Sequence, residues 1–143
     1  METWLIYALL SALSAAFVSI FGKVGLNGVD SNVATFFRAV IMMIFLAGVV
    51  FAQGNFSQIQ EIFADKKSFL FICLSGIAGA LSWLFYFAAL KFGKVSQVAP
   101  VDKLSVVFAV ILALLIFDEK ISLIHGVAVA LIAAGGIMLA VFK

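Results

Sequence analysis

The sequence predicts an all-α polytopic membrane protein with five transmembrane helices. Two thirds of its 143 residues are hydrophobic (66%) and only 11% are charged, whereas soluble domains carry about 25% charged residues. Crossing a bilayer takes about 20 predominantly apolar residues. Five stretches satisfy this length, at about 3–22, 33–52, 68–90, 95–117 and 121–142. Any functional site must therefore use the few polar residues within or between these helices.

The first two spans differ in how they begin. The opening "METWLIYALL" starts with an acidic residue and leads into a long apolar stretch, so we expect a retained helix rather than a cleaved signal peptide. The glycine-rich connector "GKVGLNGVDSN" precedes the second span. There Asp30, Ser31 or Asn32 is expected to cap the helix. The second span is interrupted only by Arg38, about 8 Å from its start.

The connector "QGNFSQIQEIFADKK" leads to the uncharged third span and has a helical pattern of its own. Its apolar residues recur at helical spacing opposite polar ones: Phe56, Ile59 and Phe63 against Gln58, Glu61 and Asp65. This pattern predicts a short amphipathic helix that lies flat in the membrane interface.

The fourth span contains the stretch "VAPVDKLSVV", which places Asp102 and Lys103 inside an apolar run. Leaving this run non-helical would expose unpaired backbone groups to lipid, so we expect it to cross the membrane. Consecutive helical residues point about 100° apart, and we therefore expect the two charges not to pair with each other. Arg38 is the expected partner of Asp102. Pro100 is expected to free a carbonyl group nearby.

The last two connectors are short, and the fifth span is rich in small residues. "KFGK" predicts that the third and fourth helices are antiparallel neighbours, and Ser122 is the expected cap of the fifth helix. Small residues recur every fourth position in the first and fifth spans: Ala8, Ala12 and Ala16, then Gly126, Ala130 and Ala134. Such stripes allow helices to approach closely. We expect them to pack within the chain, with dimerisation through the fifth helix as the alternative.

Four charged residues are predicted to lie on one side of the membrane at similar depth. Counting spans places Lys23, Arg38, Asp102 and Lys103 there, with a net charge of +2. Ionisable residues within a membrane are costly and usually face a cavity or the bundle interior. A positive cluster favours a carboxylate, phosphate or other anionic group. The alternative is that Arg38 and Lys103 reach along their stems to the lipid headgroups.

The third span offers an apolar wall for the same site. Gly79, Trp83, Tyr86 and Leu90 follow helical spacing, and the aromatic side chains would hold the organic part of a metabolite. The alternative is ordinary aromatic packing against lipid or at the interface.

An odd number of spans places the two termini on opposite sides of the membrane. Apart from Lys103 inside the fourth span, the basic residues divide five against three between the sides: Lys23, Arg38, Lys91, Lys94 and Lys143 against Lys66, Lys67 and Lys120. Because this bias is weak, dual topology and an antiparallel homodimer are one interpretation. Such a dimer would reproduce the inverted repeat of secondary transporters. A single orientation is the other.

The residue inventory argues against several other functions. Cys73 is the single cysteine and His125 the single histidine, so we expect no enzyme, no metal site, no cofactor and no disulfide. There is no glycine-rich phosphate loop joined to lysine, and the small net charge of +2 argues against a nucleic-acid partner.

Three segments of the sequence resemble the EamA family of the drug/metabolite transporter superfamily. They are "FGKVGLNGVDSNVATFFRAVIM", "GALSWLFYFAALKFGKVSQVAPVDKLSVVFAVILALLIFDEKIS" and the closing small-residue helix. The resemblance covers residues 1–143 as one domain and is to the short five-helix form, half of the usual ten-helix transporter. Most relatives carry glycine before the acidic residue that closes the fourth helix, where this chain has Asp118 before Glu119.

The resemblance implies a secondary transporter of small metabolites, often amino-acid-like, that works by alternating access between two halves of opposite orientation. It places Trp83, Tyr86, Asp102 and Lys103 on the cavity, and Arg38 matches a recurrent arginine. On this hypothesis Lys103 holds an anionic group of the substrate and Asp102 carries a coupling proton.

The expected partners are a small-molecule substrate, membrane lipids and a second copy of the chain. The expected location is a bacterial or archaeal cytoplasmic (inner) membrane. A non-transporting membrane subunit or scaffold and a lipid-headgroup flippase are the alternative functions.

Overall fold

The computed structural model describes residues 3–142, and every regular element in that range is helical. The elements are α1 (Thr3–Gly25), α2 (Ser31–Ala52), a 3₁₀ turn (Phe56–Gln58), α3 (Ile59–Ala64), α4 (Lys66–Phe92), α5 (Val95–Asp102), α6 (Leu104–Ile116) and α7 (Leu123–Val141). Five segments are long and apolar enough to cross a membrane: α1, α2, α4, α5 with α6, and α7. The predicted all-α fold with five spans is confirmed. Lys143, used in the charge count, lies outside the described residues.

Two of the membrane-spanning helices, α2 and α7, begin at a capping side chain. Asp30 caps α2, because its Oδ1 accepts hydrogen bonds from the backbone N–H of Asn32 at 2.9 Å and of Val33 at 3.1 Å. Ser122 caps α7 as predicted, because its Oγ accepts from the N–H of His125 at 3.3 Å. Both side chains satisfy N–H groups that a helix start leaves without partners.

The Asp30 cap predicts a pH-dependent contribution to stability. The N–H groups of Val33 and Asn32 hold the pKa of the Asp30 carboxyl below its ordinary value of 3.8. A carboxyl whose pKa is lower in the folded protein than in the unfolded chain stabilises the fold at pH values above its pKa in the unfolded chain. That stabilisation is lost as the pH falls through the lower pKa of the folded protein. Asp30→Ala should therefore lower the Tm at neutral pH, and the gap to wild type should narrow in acid.

Thermal unfolding in detergent at neutral and acidic pH measures this effect. Asp30→Asn is the control, because asparagine keeps a hydrogen-bond acceptor but does not titrate. It should lose less stability than the alanine variant at neutral pH. Equal Tm values for all three proteins would show that the cap contributes nothing.

The predicted helix in the connector is present as the 3₁₀ turn followed by α3. Ile59 and Ile62 are half-buried, while Phe56 and Phe63 are exposed. Asp65 ends this segment, and its Oδ1 accepts from the backbone N–H of Lys67 at 3.1 Å. The position of this helix in a membrane interface stays a prediction.

The described chain divides into two compact units, residues 24–91 and residues 3–23 with 92–142. Within the second of these, α7 packs against both α5 and α6. The fourth span is not one continuous helix. It is interrupted at Lys103, whose φ is −68° and ψ is −8°, between the end of α5 and the start of α6.

Close packing of α7 depends on Gly136, which is buried. A Cβ at this position would lie 3.1 Å from Leu104 Cδ2 and 3.3 Å from the carbonyl oxygen of Pro100. The more buried face of α7 consists of Gly126, Val129, Ala133 and Gly136.

This face corrects the stripes that the sequence suggested. Ala130 and Ala134 are exposed, as are Ala8, Ala12 and Ala16 in α1, so neither stripe is an intrachain contact face over its length. A strict four-residue repeat turns by about 40° at each step in a helix of 3.6 residues per turn. Alternating steps of three and four residues stay on one face.

Replacing Gly136 with leucine is expected to destabilise the protein. The added atoms have no room against Leu104 and Pro100, and overpacking of this kind typically costs about 1–3 kcal/mol. Gly135→Leu is the matched control, because a Cβ there meets nothing within 4 Å. Thermal unfolding in detergent should show a lower Tm for Gly136→Leu only. Equal Tm values for the two variants would contradict the close approach.

The turn after the fourth span has an unusual backbone conformation at Asp118, where the resemblance leads us to expect glycine. Asp118 has a φ of +50°, the only positive value at a non-glycine position in the described residues. Glycine adopts this conformation without a steric penalty, and aspartate is one of the few other residues that tolerate it. The backbone at Asp118 accordingly has a conformation that glycine would adopt readily.

Candidate functional site

The site begins with Arg38 on α2. Arg38 follows the first residue of the helix by seven positions, a distance of about 10 Å along its axis. Its guanidinium carbon lies 3.7 Å from the centroid of the Trp83 ring and 4.9 Å from that of Phe87, both on α4. These are cation–π distances, and tryptophan is the aromatic side chain that attracts a cation most strongly.

Helical spacing on α4 assembles the aromatic side of the site. Trp83 and Phe87 are four residues apart and therefore lie on one face of the helix. Trp83 contacts Tyr86 with ring centroids 5.6 Å apart and Phe87 with centroids 6.0 Å apart, both edge-to-face. Tyr86 and Phe87 are buried and Trp83 is half-buried. This cluster holds the Trp83 ring in place under the guanidinium.

The face predicted on the third span is covered by other parts of the chain. Its residues are all half-buried or buried: Gly79, Trp83, Tyr86 and Leu90. Phe87 was not predicted as part of it. The signal was present in the sequence, because Phe87 follows Trp83 by four residues. The structure also places Trp83 beside the cation, which hydropathy and spacing alone do not indicate.

The electrostatics of Arg38 favour an anionic partner. The Nε atom is buried and has no hydrogen-bond partner among the described residues. The guanidinium carbon lies over both rings, and the N–H donors of a guanidinium point outward in its plane. A buried N–H without a partner is costly. A carboxylate or phosphate oxygen would satisfy it with a charge-assisted hydrogen bond.

A cleft of about 560 Å³ opens beside this arginine, between α2 and α4. Arg38 and Trp83 line it together with two polar residues near the start of α2, Asn32 and Thr35. The Thr35 hydroxyl already donates to the carbonyl oxygen of Ser31 at 2.7 Å. Arg38 is thus the charged group of a cleft whose size suits a small organic ligand.

Asp102 and Lys103 pair with each other, which corrects the expectation that they point apart. Lys103 Nζ lies 3.3 Å from Asp102 Oδ2, and the two side chains are 57% and 33% exposed respectively. The expectation assumed one regular helix. The pair lies at the interruption of the fourth span at Lys103. The pair is neutral overall, and it belongs to a different compact unit from Arg38.

Lys23 has a contact that connects two segments of its own unit. It lies in the last turn of α1, and its Nζ donates a hydrogen bond to the carbonyl oxygen of Gly93 at 2.8 Å. Gly93 is in the short "KFGK" connector. This contact joins the end of α1 to the start of the fourth span, and the predicted role of Lys23 in substrate binding stays a prediction.

A second cleft, of about 600 Å³, lies beside the connector helix α3. Glu61, Asp65, Gln58 and Asn55 contribute to its lining. Two carboxylates would repel an anionic ligand, so this cleft does not have the charge that the sequence predicts for the substrate site.

Other reactive side chains do not form a centre among residues 3–142. No group of three or more histidine, cysteine or acidic residues in that range is placed to hold a metal ion. Cys73 is exposed, and the Nδ1 atom of His125 lies 2.8 Å from the Oγ of Ser122.

Comparison with known proteins agrees with the resemblance noted in the sequence. The model of the EamA-like transporter family matches residues 2–141. A protein of Sinorhizobium sp., named as an uncharacterized transporter in the cobO 3′ region, is 43% identical over 141 residues, which is 99% of each chain. No solved structure matches the chain. The chain therefore belongs to the EamA-like transporter family, and its five apolar helices make it an integral membrane protein.

Proposed function

We propose that the protein is a secondary transporter of small metabolites that carry an anionic group, amino-acid-like compounds among them. The observation that carries this proposal is Arg38, a half-buried cation over the Trp83 ring on the wall of a cleft between two spans. Its Nε has no hydrogen-bond partner among residues 3–142. The substrate's anionic group would occupy the N–H edge of the guanidinium. Trp83 would contact its organic part, and Tyr86 would support the Trp83 ring.

The Asp102–Lys103 pair is the second part of the proposed machinery. A carboxylate in a membrane span that can accept a proton is a typical coupling group. Protonation of Asp102 would break its ion pair and leave Lys103 free to receive an anion. Proton binding at Asp102 and anion binding at Lys103 would then be linked through this one ion pair. The neutral pair at rest also reduces the cost of placing both charges in the membrane.

Alternating access requires two halves that rock about a central site, and we propose that two copies of the chain in opposite orientations supply them. The odd number of spans and the five-to-three division of basic residues support this arrangement. Two antiparallel copies would reproduce the inverted repeats of larger transporters.

Uptake into proteoliposomes tests the function. Liposomes containing the purified protein are loaded with buffer and supplied with labelled amino acids and organic acids, with protein-free liposomes as the control. We expect saturable uptake of compounds with a carboxylate and none of matched amines. A complete screen without uptake would favour the non-transporting subunit.

The orientation proposal has its own test. C-terminal fusions to two reporters, each active on one side of the membrane, should both give signal if the chain inserts both ways. Activity of only one reporter would contradict the antiparallel homodimer and leave the anion transport proposal to be judged by uptake.

A further inference from the structure

The cleft beside Arg38 is apolar over most of its length. Beyond Arg38 its α2 wall includes Met42, Met43 and Leu46, and its α4 wall before Trp83 includes Gly76, Gly79 and Ala80. Leu46 follows Arg38 by two helical turns, so this apolar part extends about 12 Å from the charge. The cleft therefore combines one cation at one end with a long apolar surface.

Glycine accounts for much of the space on the α4 side. A Cβ added at Gly79 or at Gly76 would meet no atom within 4 Å. Larger side chains would fit sterically at these positions and would occupy the cleft. The open volume is thus set by two residues that lack a side chain, opposite flexible methionines that adapt to the shape of an apolar ligand.

We propose that this cleft binds amphiphilic carboxylates, with the carboxylate on Arg38 and an apolar chain along Met42, Leu46 and Gly79. This inference rests on the proposed function and narrows its substrate class. A small polar anion would satisfy the guanidinium but leave the apolar walls uncovered. An apolar chain leaves water when it enters the cleft, and each methylene so transferred raises affinity by up to about fourfold.

Binding can be measured through the Trp83 ring itself. The chain has two tryptophans, so a Trp4→Phe background leaves Trp83 as the only indole, in direct contact with Arg38. The purified protein in phosphatidylcholine nanodiscs is titrated with butyrate, octanoate and octylammonium. Octanoate should bind at least about tenfold more tightly than butyrate, and octylammonium should leave the fluorescence unchanged. Equal affinity for the two carboxylates, or binding of octylammonium, would overturn the inference.

Filling the cleft gives the sharper comparison. Gly79→Leu should weaken octanoate binding by about tenfold or more while butyrate stays within about twofold, because only the longer chain reaches residue 79. Gly48→Leu is the matched control on α2. A Cβ at Gly48 also meets nothing within 4 Å, and Gly48 does not line the cleft. Identical chain-length profiles for Gly79→Leu and Gly48→Leu would overturn the inference.

Two further results separate this inference from the proposed function. Proteoliposomes that take up butyrate and octanoate equally would leave anion transport standing and overturn the amphiphile preference. Chain-length-dependent binding without uptake of any anion would support the ligand class and contradict the transport function.

Replacing phosphatidylcholine by phosphatidylglycerol in the nanodiscs tests whether an anionic lipid occupies the cleft. Loss of octanoate binding in those nanodiscs would assign the cleft to an anionic lipid and overturn the inference.

Discussion

Arg38→Gln is expected to reduce carboxylate uptake by at least about 100-fold in Vmax/KM. A hydrogen bond to a charged group contributes about 1.5–3 kcal/mol, and a bidentate contact contains two of them. Glutamine keeps a polar side chain of intermediate length but has neither the charge nor the planar fork. Arg38→Lys should be intermediate, since lysine restores the charge without the paired donors or the flat surface that stacks on Trp83.

Proteoliposome uptake over a range of substrate concentrations measures this effect, with the Tm of each variant as the check on folding. Removing a cation from a membrane span lowers the cost of insertion. The glutamine variant should therefore be at least as stable as wild type. A loss of uptake in this variant would then result from weaker substrate binding rather than from unfolding. Wild-type uptake kinetics in Arg38→Gln would exclude Arg38 from the substrate site. A large fall in the Tm of Arg38→Gln would show instead that Arg38 has a structural role.

Hydropathy predicts the spans well because the bilayer sets the length of every crossing helix. The Asp30 and Ser122 caps were also predictable, because short polar side chains before an apolar run supply the missing acceptor. Arg38 was identified by its depth, a quantity that only requires counting residues from the start of α2. These features depend on local sequence and on a fixed membrane thickness.

The partners of the charged residues depend on features that counting does not show. The Asp102–Lys103 pair lies where the fourth span is interrupted at Lys103, whereas the expectation assumed a continuous helix. Arg38 contacts Trp83 because of how α2 and α4 are rotated about their axes. When a helix is hydrophobic on all sides, its sequence does not show which face points to the neighbouring helix. Gly136 was missed for the same reason, since the four-residue stripe was more conspicuous than the face that packs.

Asp102→Asn is expected to uncouple transport from a proton gradient. Asparagine has nearly the same shape as aspartate but does not take up a proton. Accumulation of substrate driven by a pH gradient should fall by about tenfold or more, while exchange at equal pH on both sides stays within about twofold of wild type. Flux with and without an imposed gradient in proteoliposomes measures the two activities separately. Unchanged accumulation would exclude Asp102 as the coupling group.

A double variant distinguishes proton coupling from a merely structural ion pair. Each single change, Asp102→Asn or Lys103→Gln, leaves one charge of the 3.3 Å pair without its partner, and an unpaired charge in the membrane is destabilising. The double variant removes both charges and should recover stability, as a coupled pair does in a double-mutant cycle. If the pair is only structural, gradient-driven accumulation recovers as well. If Asp102 carries the proton, stability returns but accumulation does not, because no titrating group has been restored.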